Sequence, residues 1–383
     1  MHLNMFPEIN HIDDVLTAIK DREEFIVAEK DGYKVVNYMV ALQDTFPDRD
    51  HPDAGLLREL RGIIFCSETG KILSRRLHKF FNVNERDETN LQNLPWHEEF
   101  YVMDKLDGSM ITPIKIGDHI RWGTKMGVTE VSMQAEEFVA IRSEYQDLAK
   151  FLISINCTPI FEWCSNKQRI VIDHPEDNLV LLHIRENVTG KYWPRNQVER
   201  LASFRSIPTV RTWSSIDYTS VELLEHIRNL EDAEGVVIQF KNGDMVKMKS
   251  DWYVRIHKAK DKISDDRRIL ECILENEIDD LLPILSDYDV NRIRELEHNF
   301  LDAIAESSEI VMDEIVRIRN DDVSRKYFAL TNGFNPAIRS AIFNFWDKQT
   351  ILKTDVHHFF IELVKKNMSS GLKFETFRNM IGF

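Results

Sequence analysis

Glu234-Gly235-Val236-Val237-Ile238-Gln239-Phe240-Lys241-Asn242-Gly243-Asp244-Met245-Val246-Lys247-Met248-Lys249 is the stretch that decides the fold class. Asn242-Gly243 is the strongest hairpin signal in the chain, because a type I′ turn needs positive φ at both central residues. The flanking runs, Gly235 to Phe240 and Asp244 to Lys249, are read as antiparallel strands. Side chains alternate along a strand, so Val246 and Met248 face one side and Lys247 and Lys249 the other. Two lysines on one strand face suit a polyphosphate. A solvated sheet face carries the same pattern.

Upstream, strand signals dominate. Phe25 to Ala28 and Lys34 to Tyr38 flank Asp31-Gly32, a second hairpin turn. Leu60 to Cys66 and Phe100 to Asp104 read as buried strands. Met110 to Ile116 and His119 to Gly123 turn at Gly117-Asp118, and Thr158 to Cys164 and Leu179 to Arg185 add two more strands. One helix is expected over about Val131 to Leu152 and another after Thr219, which forms a capping box with Glu222. The pattern changes after about Lys258. Ile293, Leu296, Phe300, Ile304, Val311, Ile315 and Ile318 recur at helical spacing. Asn335-Pro336 supplies an N-cap and a first-turn proline, and Ile361 and Leu363 sit in a further helix. The expected class is α+β: antiparallel sheets with helices over 1–257, then an all-α domain over 258–383.

A chain of 383 residues suggests two domains. Its 43% hydrophobic and 30% charged residues are those of an ordinary globular protein. Cys66, Cys157, Cys164 and Cys272 form no Cys-x-x-Cys pair, which argues against a disulfide framework or zinc site and fits a reducing cytoplasm. No apolar run approaches membrane-spanning length, and Met1-His2-Leu3-Asn4 lacks the features of a signal peptide. A cytoplasmic protein is therefore expected. The net charge of −15 opposes nucleic-acid binding, since phosphate contacts call for Lys and Arg. A site is local, however, so the acidic excess must lie away from it.

Lys105-Leu106-Asp107-Gly108-Ser109 joins two expected strands. A turn there can hold a lysine at a pocket mouth. Lysine is a nucleophile only when neutral, which requires neighbouring positive charge or desolvation. Alone the pentapeptide is weak: Lys30-Asp31-Gly32 also sets a lysine at a tight turn and is read as a plain hairpin. Glu162, on the apolar strand Pro159 to Cys164, and Glu234 are acids in apolar surroundings, where carboxylates need partners. They suit a ribose hydroxyl and a magnesium ion, or plain structural ion pairs. Arg61-Gly62 and His78-Lys79-Phe80-Phe81-Asn82 place cations beside apolar runs, as phosphate clamps or as surface charges.

The order Arg-Gly, Lys-Phe-Phe-Asn, Lys-x-Asp-Gly-Ser, Phe-Glu, Glu-Gly, Lys-x-Lys resembles the covalent nucleotidyltransferase superfamily. Leu60-Arg61-Gly62-Ile63, Lys79-Phe80-Phe81-Asn82 and Lys249-Ser250-Asp251-Trp252-Tyr253 narrow the resemblance to the RNA ligase 1 family of T-even bacteriophages, over about residues 55 to 260. The resemblance implies an ATP-grasp-like nucleotidyltransferase domain followed by a helical RNA-specificity domain. It implies an ATP-dependent RNA ligase in which Lys105 takes AMP from ATP and passes it to an RNA 5′-phosphate, after which a 3′-hydroxyl displaces AMP. It further implies that Asp107 and Gly108 shape the loop. Lys125 lies in the nucleotide pocket and Glu162 binds the ribose. Glu234 sits beside Mg2+, Lys247 and Lys249 contact the α-phosphate, and Arg61 and Lys79 contact the leaving pyrophosphate. Asp279 matches an acid serving a hydrated metal. The implied partner is RNA with 5′-phosphate and 3′-hydroxyl ends, such as a nicked tRNA in RNA repair, acted on by a monomer. Two other readings share these motifs: an inactive RNA-binding adaptor of the same fold, and a GTP-using capping-type nucleotidyltransferase. The intact lysine and glutamate set opposes the first. Nothing after Lys258 reads as the five strands of the OB-fold that capping enzymes carry, which opposes the second.

Overall fold

The computed structural model describes residues 6–42, 44–168, 170–213 and 219–382. The chain forms two compact units, Met1–Arg255 and Ile256–Phe383.

The first unit is built on three four-stranded sheets. Its strands are β1 (Phe25–Lys30), β2 (Tyr33–Tyr38), β3 (Arg61–Cys66), β4 (Ile72–Ser74), β5 (Phe81–Asn82), β6 (Phe100–Asp104), β7 (Ser109–Ile116), β8 (His119–Gly123), β9 (Cys157–Cys164), β10 (Asn178–Glu186), β11 (Gly235–Phe240) and β12 (Met245–Lys249). The sheet orders are β1-β2-β3-β4, β10-β9-β7-β8 and β5-β12-β11-β6. Pairing is antiparallel apart from the short β5–β12 contact. The α+β class expected from the sequence is the class observed.

The Asn242-Gly243 hairpin forms with Gly235 opposite Lys249 and Gln239 opposite Met245. Val246 and Met248 are 1% and 3% exposed and pack with Val102, Val236 and Ile238 under Leu223 and Ile227 of the helix Ser220–Arg228. Each such buried side chain contributes about 1.5–3 kcal/mol, so core burial on one face fixes the two lysines on the other. Thr219 and Glu222 cap that helix reciprocally, as their spacing indicates. Lys30, the hairpin-turn lysine, is exposed.

The single helix expected over Val131 to Leu152 is two: Glu130–Ala140 and Ser143–Ser154. The apolar stripe skips a turn, from Val139 to Tyr145, with Ile141 exposed between them. Gln146 donates to the carbonyls of Val139 and Ala140 at 3.1 and 3.0 Å, and Arg142 to that of Phe138 at 2.8 Å, so side chains satisfy the freed carbonyls. The helix Arg195–Phe204 has no counterpart in the sequence reading.

Behind the sheets, the fully buried Glu59 pairs with Arg75 at 2.9 Å and Arg185 at 2.6 Å. Arg185 also donates to the carbonyl of Arg76, and Arg76 to that of Gly62. This ionic chain ties β10 to the start of β3, where Arg61 emerges.

In the second unit the helix Asp287–Asn320 is capped by Ser286 and buries the Ile293-to-Ile318 stripe anticipated from the sequence. Asn335 Oδ1 accepts from the N–H groups of Ala337 and Ile338, capping Pro336–Phe345. The helix Lys353–Asn367 buries Val356, Phe360 and Val364, leaving Ile361 and Leu363 half-buried. No described helix is long and apolar enough to cross a membrane.

Candidate active site

The segment Lys105–Gly108 carries the chain from β6, at one edge of its sheet, to β7, inside another. The N–H of Lys105 donates to the carbonyl of Gly235 at 2.9 Å, so the β6–β11 ladder sets the height at which the lysine leaves the sheet. Its side chain enters a cavity of about 270 Å³.

Lys105 Nζ donates to Glu234 Oε2 at 2.7 Å, and Lys249 Nζ lies 3.1 Å from Glu234 Oε1. Glu234 is 3% exposed. Its backbone is pinned from both sides: Ser250 N donates to its carbonyl at 2.9 Å, and Ser250 Oγ donates to that of Ala233 at 2.7 Å. One buried carboxylate thus bridges two lysines, one from the loop between β6 and β7 and one from the end of β12.

Arg61, Lys79, Lys105, Lys247 and Lys249 line the cavity against the carboxylates of Asp104 and Glu162. Five cations against three carboxylates, Glu234 beneath the lysines included, make the site locally positive in a chain of net charge −15, which resolves the conflict with phosphate binding. Burial, reinforced by the charges of Lys79 and Lys105, lowers the Lys247 ammonium to about 8. Burial raises the Glu162 carboxyl to about 7; Glu234 adds to the rise and Lys105 opposes it.

Lys79 stands among three rings, 5.5 Å from the centroids of Tyr38 and Phe46 and 5.2 Å from that of Phe81. Lys125 lies 5.2 Å from the Tyr38 ring centre and is not among the residues that line the cavity. Gly62 explains how Lys125 comes near. Its φ is +88°, and a Cβ there would stand 2.4 Å from the carbonyl oxygen of Lys125. Tyr38 lines the cavity too; burial raises its pKa, but Arg61, Lys79 and Lys125 together bring it below the ordinary value.

Asp107 does not line the cavity either. It is 3% exposed. Its Oδ2 accepts from the N–H groups of Val171 and Ile172, both at 2.8 Å, and its Oδ1 from the Tyr253 hydroxyl at 2.7 Å. It clamps the lysine loop to the 170s loop and to the helix that follows β12. Gly108 allows the loop to lie against β9, since a Cβ there would sit 2.4 Å from the carbonyl oxygen of Trp163.

The structure therefore gathers Lys105, Gly108, Arg61, Lys79, Glu162, Lys247 and Lys249 around one cavity, with Glu234 beneath the lysines and Asp107 and Lys125 as supports. Asp279 lies in the helix Ile278–Leu281 of the second unit and is not among the cavity residues. Among the described residues no group of three or more His, Cys, Asp or Glu is placed to hold a metal ion. Tyr38, Ser250 and Tyr253 were missed as site residues. Ser250 and Tyr253 stood in a segment that carried the resemblance, but nothing in their residue types revealed the partners they fold against.

Residues 59–256 match the family described as RNA ligase. A protein of Thermovibrio ammonificans named "Putative RNA ligase" is 30% identical over 287 residues, 72% of each chain. RNA ligase 1 of bacteriophage TS2126 is 25% identical over 289 residues, 72% of this chain and 69% of that one. Among solved structures, an archaeal ATP-dependent RNA ligase aligns over 74% of this chain and 78% of its own, with 14% identity and a TM-score of 0.48. The family match spans more than half of the sequence and contains every residue that lines the cavity except Tyr38; this chain belongs to the RNA ligase family.

Proposed function

We propose that the chain is an ATP-dependent RNA ligase of the phage RNA ligase 1 branch, and that Lys105 carries AMP between its half-reactions. The observation that carries this reading is the Lys105–Glu234–Lys249 bridge at the mouth of a locally positive cavity. Neutral Lys105 Nζ attacks the α-phosphorus of ATP; a P–N bond forms and the bond to pyrophosphate breaks. An oxygen of the RNA 5′-phosphate then takes the AMP, breaking the P–N bond. Finally a 3′-hydroxyl attacks the activated 5′-phosphorus and AMP leaves. Each step needs charge neutralisation and in-line placement more than elaborate proton chemistry.

The residues divide this work. Glu234 offers a carboxylate oxygen 2.7 Å from Lys105 Nζ, the nitrogen that must lose a proton. Lys247 and Lys249 face the α-phosphate, Arg61 and Lys79 the leaving pyrophosphate, and Glu162 the ribose. Lys125 supports the phosphate end through Tyr38. The donor set fits Mg2+, which takes one or two carboxylates together with phosphate oxygens rather than an all-protein cage. Glu234 is the residue that would hold it, and the ion would supply charge neutralisation to the phosphates. The family resemblance also offers Asp279, in the second unit, as a partner of a hydrated metal.

The second unit is proposed to select the RNA, with a nicked tRNA as the candidate substrate. Lys365, Lys366 and Lys373 are exposed there. Incubation with ATP labelled at the α-phosphate tests the reading: a labelled protein band that chases into AMP-capped RNA is expected. Absence of label from the wild-type protein with Mg2+ present contradicts it.

A further inference from the structure

His183 is a buried imidazole that the scheme above leaves unused. It is 5% exposed and lines the cavity that holds Lys105. It makes no side-chain hydrogen bond to any described residue. Its ring packs edge-on against Tyr192, with centroids 5.3 Å apart. Burial, with Arg195 and Arg185 behind it, brings its pKa down to about 3. At neutral pH it therefore offers one N–H and one lone-pair nitrogen. An imidazole in this state that lines a cavity can bond a ligand there through either nitrogen.

A strand irregularity aims it. Leu181 pairs with Phe161 and His183 with Ile160, so Leu182 is an extra residue in β10. Consecutive strand residues ordinarily face opposite sides, but here Leu182 and His183 both line the cavity. Bulges re-aim side chains in this way beside active sites. His183 lies opposite Ile160, two positions along β9 from Glu162 and on the same face, about 7 Å away. That is the separation of a ribose from the far edge of its base. Leu182, Val210, Val237 and Met110 give the space between them apolar walls suited to the faces of a flat ring.

Resting on the reading of Lys105 as the AMP carrier, we infer that His183 reads the edge of the adenine ring, its lone-pair nitrogen accepting a hydrogen bond from the 6-amino group. The amino group is the hydrogen-bond donor on the adenine edge, and the imidazole lone pair is the acceptor that meets it. His183 is then a specificity residue: it acts in nucleotide selection and takes no part in the transfer of AMP.

The test uses the full-length protein and two nucleotides, ATP and purine riboside 5′-triphosphate, which lacks the 6-amino group. Lysyl-nucleotide formation is followed for the wild type, H183F and H183L. The wild type is expected to favour ATP by about tenfold in kcat/KM, mainly through KM. Both variants are expected to bring that ratio close to one while keeping kcat. The inference is overturned by a wild type indifferent to the amino group, or by a folded variant that keeps the full preference. If neither variant folds, H183A is measured in their place: loss of the preference upholds the inference, and full retention overturns it. No adduct from wild type and ATP defeats the ligase reading and this inference together. An adduct with unchanged selectivity in H183F defeats the role of His183 alone.

Discussion

Lys105 Nζ and Glu234 Oε2 are 2.7 Å apart although their residues are 129 positions apart in the chain. The contact exists because β6 ends beside the start of β11, with Asp104 paired to Val236. It makes Glu234 the carboxylate in direct contact with both Lys105 and Lys249. Glu234→Gln keeps the shape of the side chain and removes its charge. Adduct formation from ATP is expected to fall by about 100-fold or more, comparable to losing one preorganised electrostatic group. Single-turnover kinetics at saturating Mg2+ measure it, and near-wild-type rates would remove Glu234 from the chemistry.

Two of the shifted groups that face the cavity, Glu162 and Lys247, predict a bell-shaped pH profile for the first half-reaction. Glu162, at about 7, carries a proton in more acidic solution and becomes a carboxylate as pH rises. Lys247, at about 8, keeps its positive charge below that value and loses it above. The kcat/KM for ATP should rise through about pH 7 and fall through about pH 8. Lys247→Arg, whose charge persists, should move the alkaline limb upward, and Glu162→Gln should flatten the acid limb. A profile unchanged in both variants would contradict the assignment.

Asp107 and Tyr253 hold the lysine loop without entering the cavity. Asp107→Ala removes the charged acceptor of the Val171 and Ile172 N–H groups, at about 1–3 kcal/mol each. Tyr253→Phe removes one hydrogen bond to a carboxylate, worth about 1.5–3 kcal/mol. Denaturant unfolding should rank Asp107→Ala as the more destabilised variant.

Gly108→Ala is expected to lose adduct formation with little loss of fold. The added methyl group meets the carbonyl oxygen of Trp163 at 2.4 Å, so the loop must move. Circular dichroism alongside the labelling assay separates the two effects.

The Glu59 network should make the first unit acid-labile. Arg185 and Arg75 outweigh burial and hold the Glu59 carboxyl down at about 2. Its contribution is present above the ordinary glutamate value of about 4.3 and is lost as pH falls from there toward 2, on the order of 3 kcal/mol. Glu59→Gln leaves two buried guanidiniums short of a counter-charge, at about 3–5 kcal/mol. Urea midpoints at pH 7 and pH 3.5 should differ less in the variant than in the wild type.

What could be read from the sequence was local or ordered. Asn242-Gly243 names its own turn, and strand alternation then places Lys247 and Lys249 on one face. Asn335-Pro336 and the Ile293-to-Ile318 stripe reveal helices for the same reason. Contacts across sheets carry no such signature. Asp107 and Tyr253 meet across 146 residues, so the aspartate reads as loop chemistry when it is a buried clamp. The turn inserted after Ala140 hides behind residues with ordinary helix propensity. The bulge at Leu182 was illegible because Leu179 to Arg185 reads as an unbroken apolar strand, which leaves His183 looking like a core histidine. Lys105 itself lies in a pentapeptide of low information; its neighbours in space, supplied by the family order of motifs, make it a candidate.

The central claim, that Lys105 carries AMP, is tested most directly by mapping the labelled residue. The protein is incubated with Mg2+ and ATP or GTP labelled at the α-phosphate, then digested and sequenced. The account predicts label from ATP on the peptide containing Lys105, and none on Lys105→Ala. Label on Lys105→Ala at wild-type level, or a wild type that takes label from GTP and not from ATP, would contradict it.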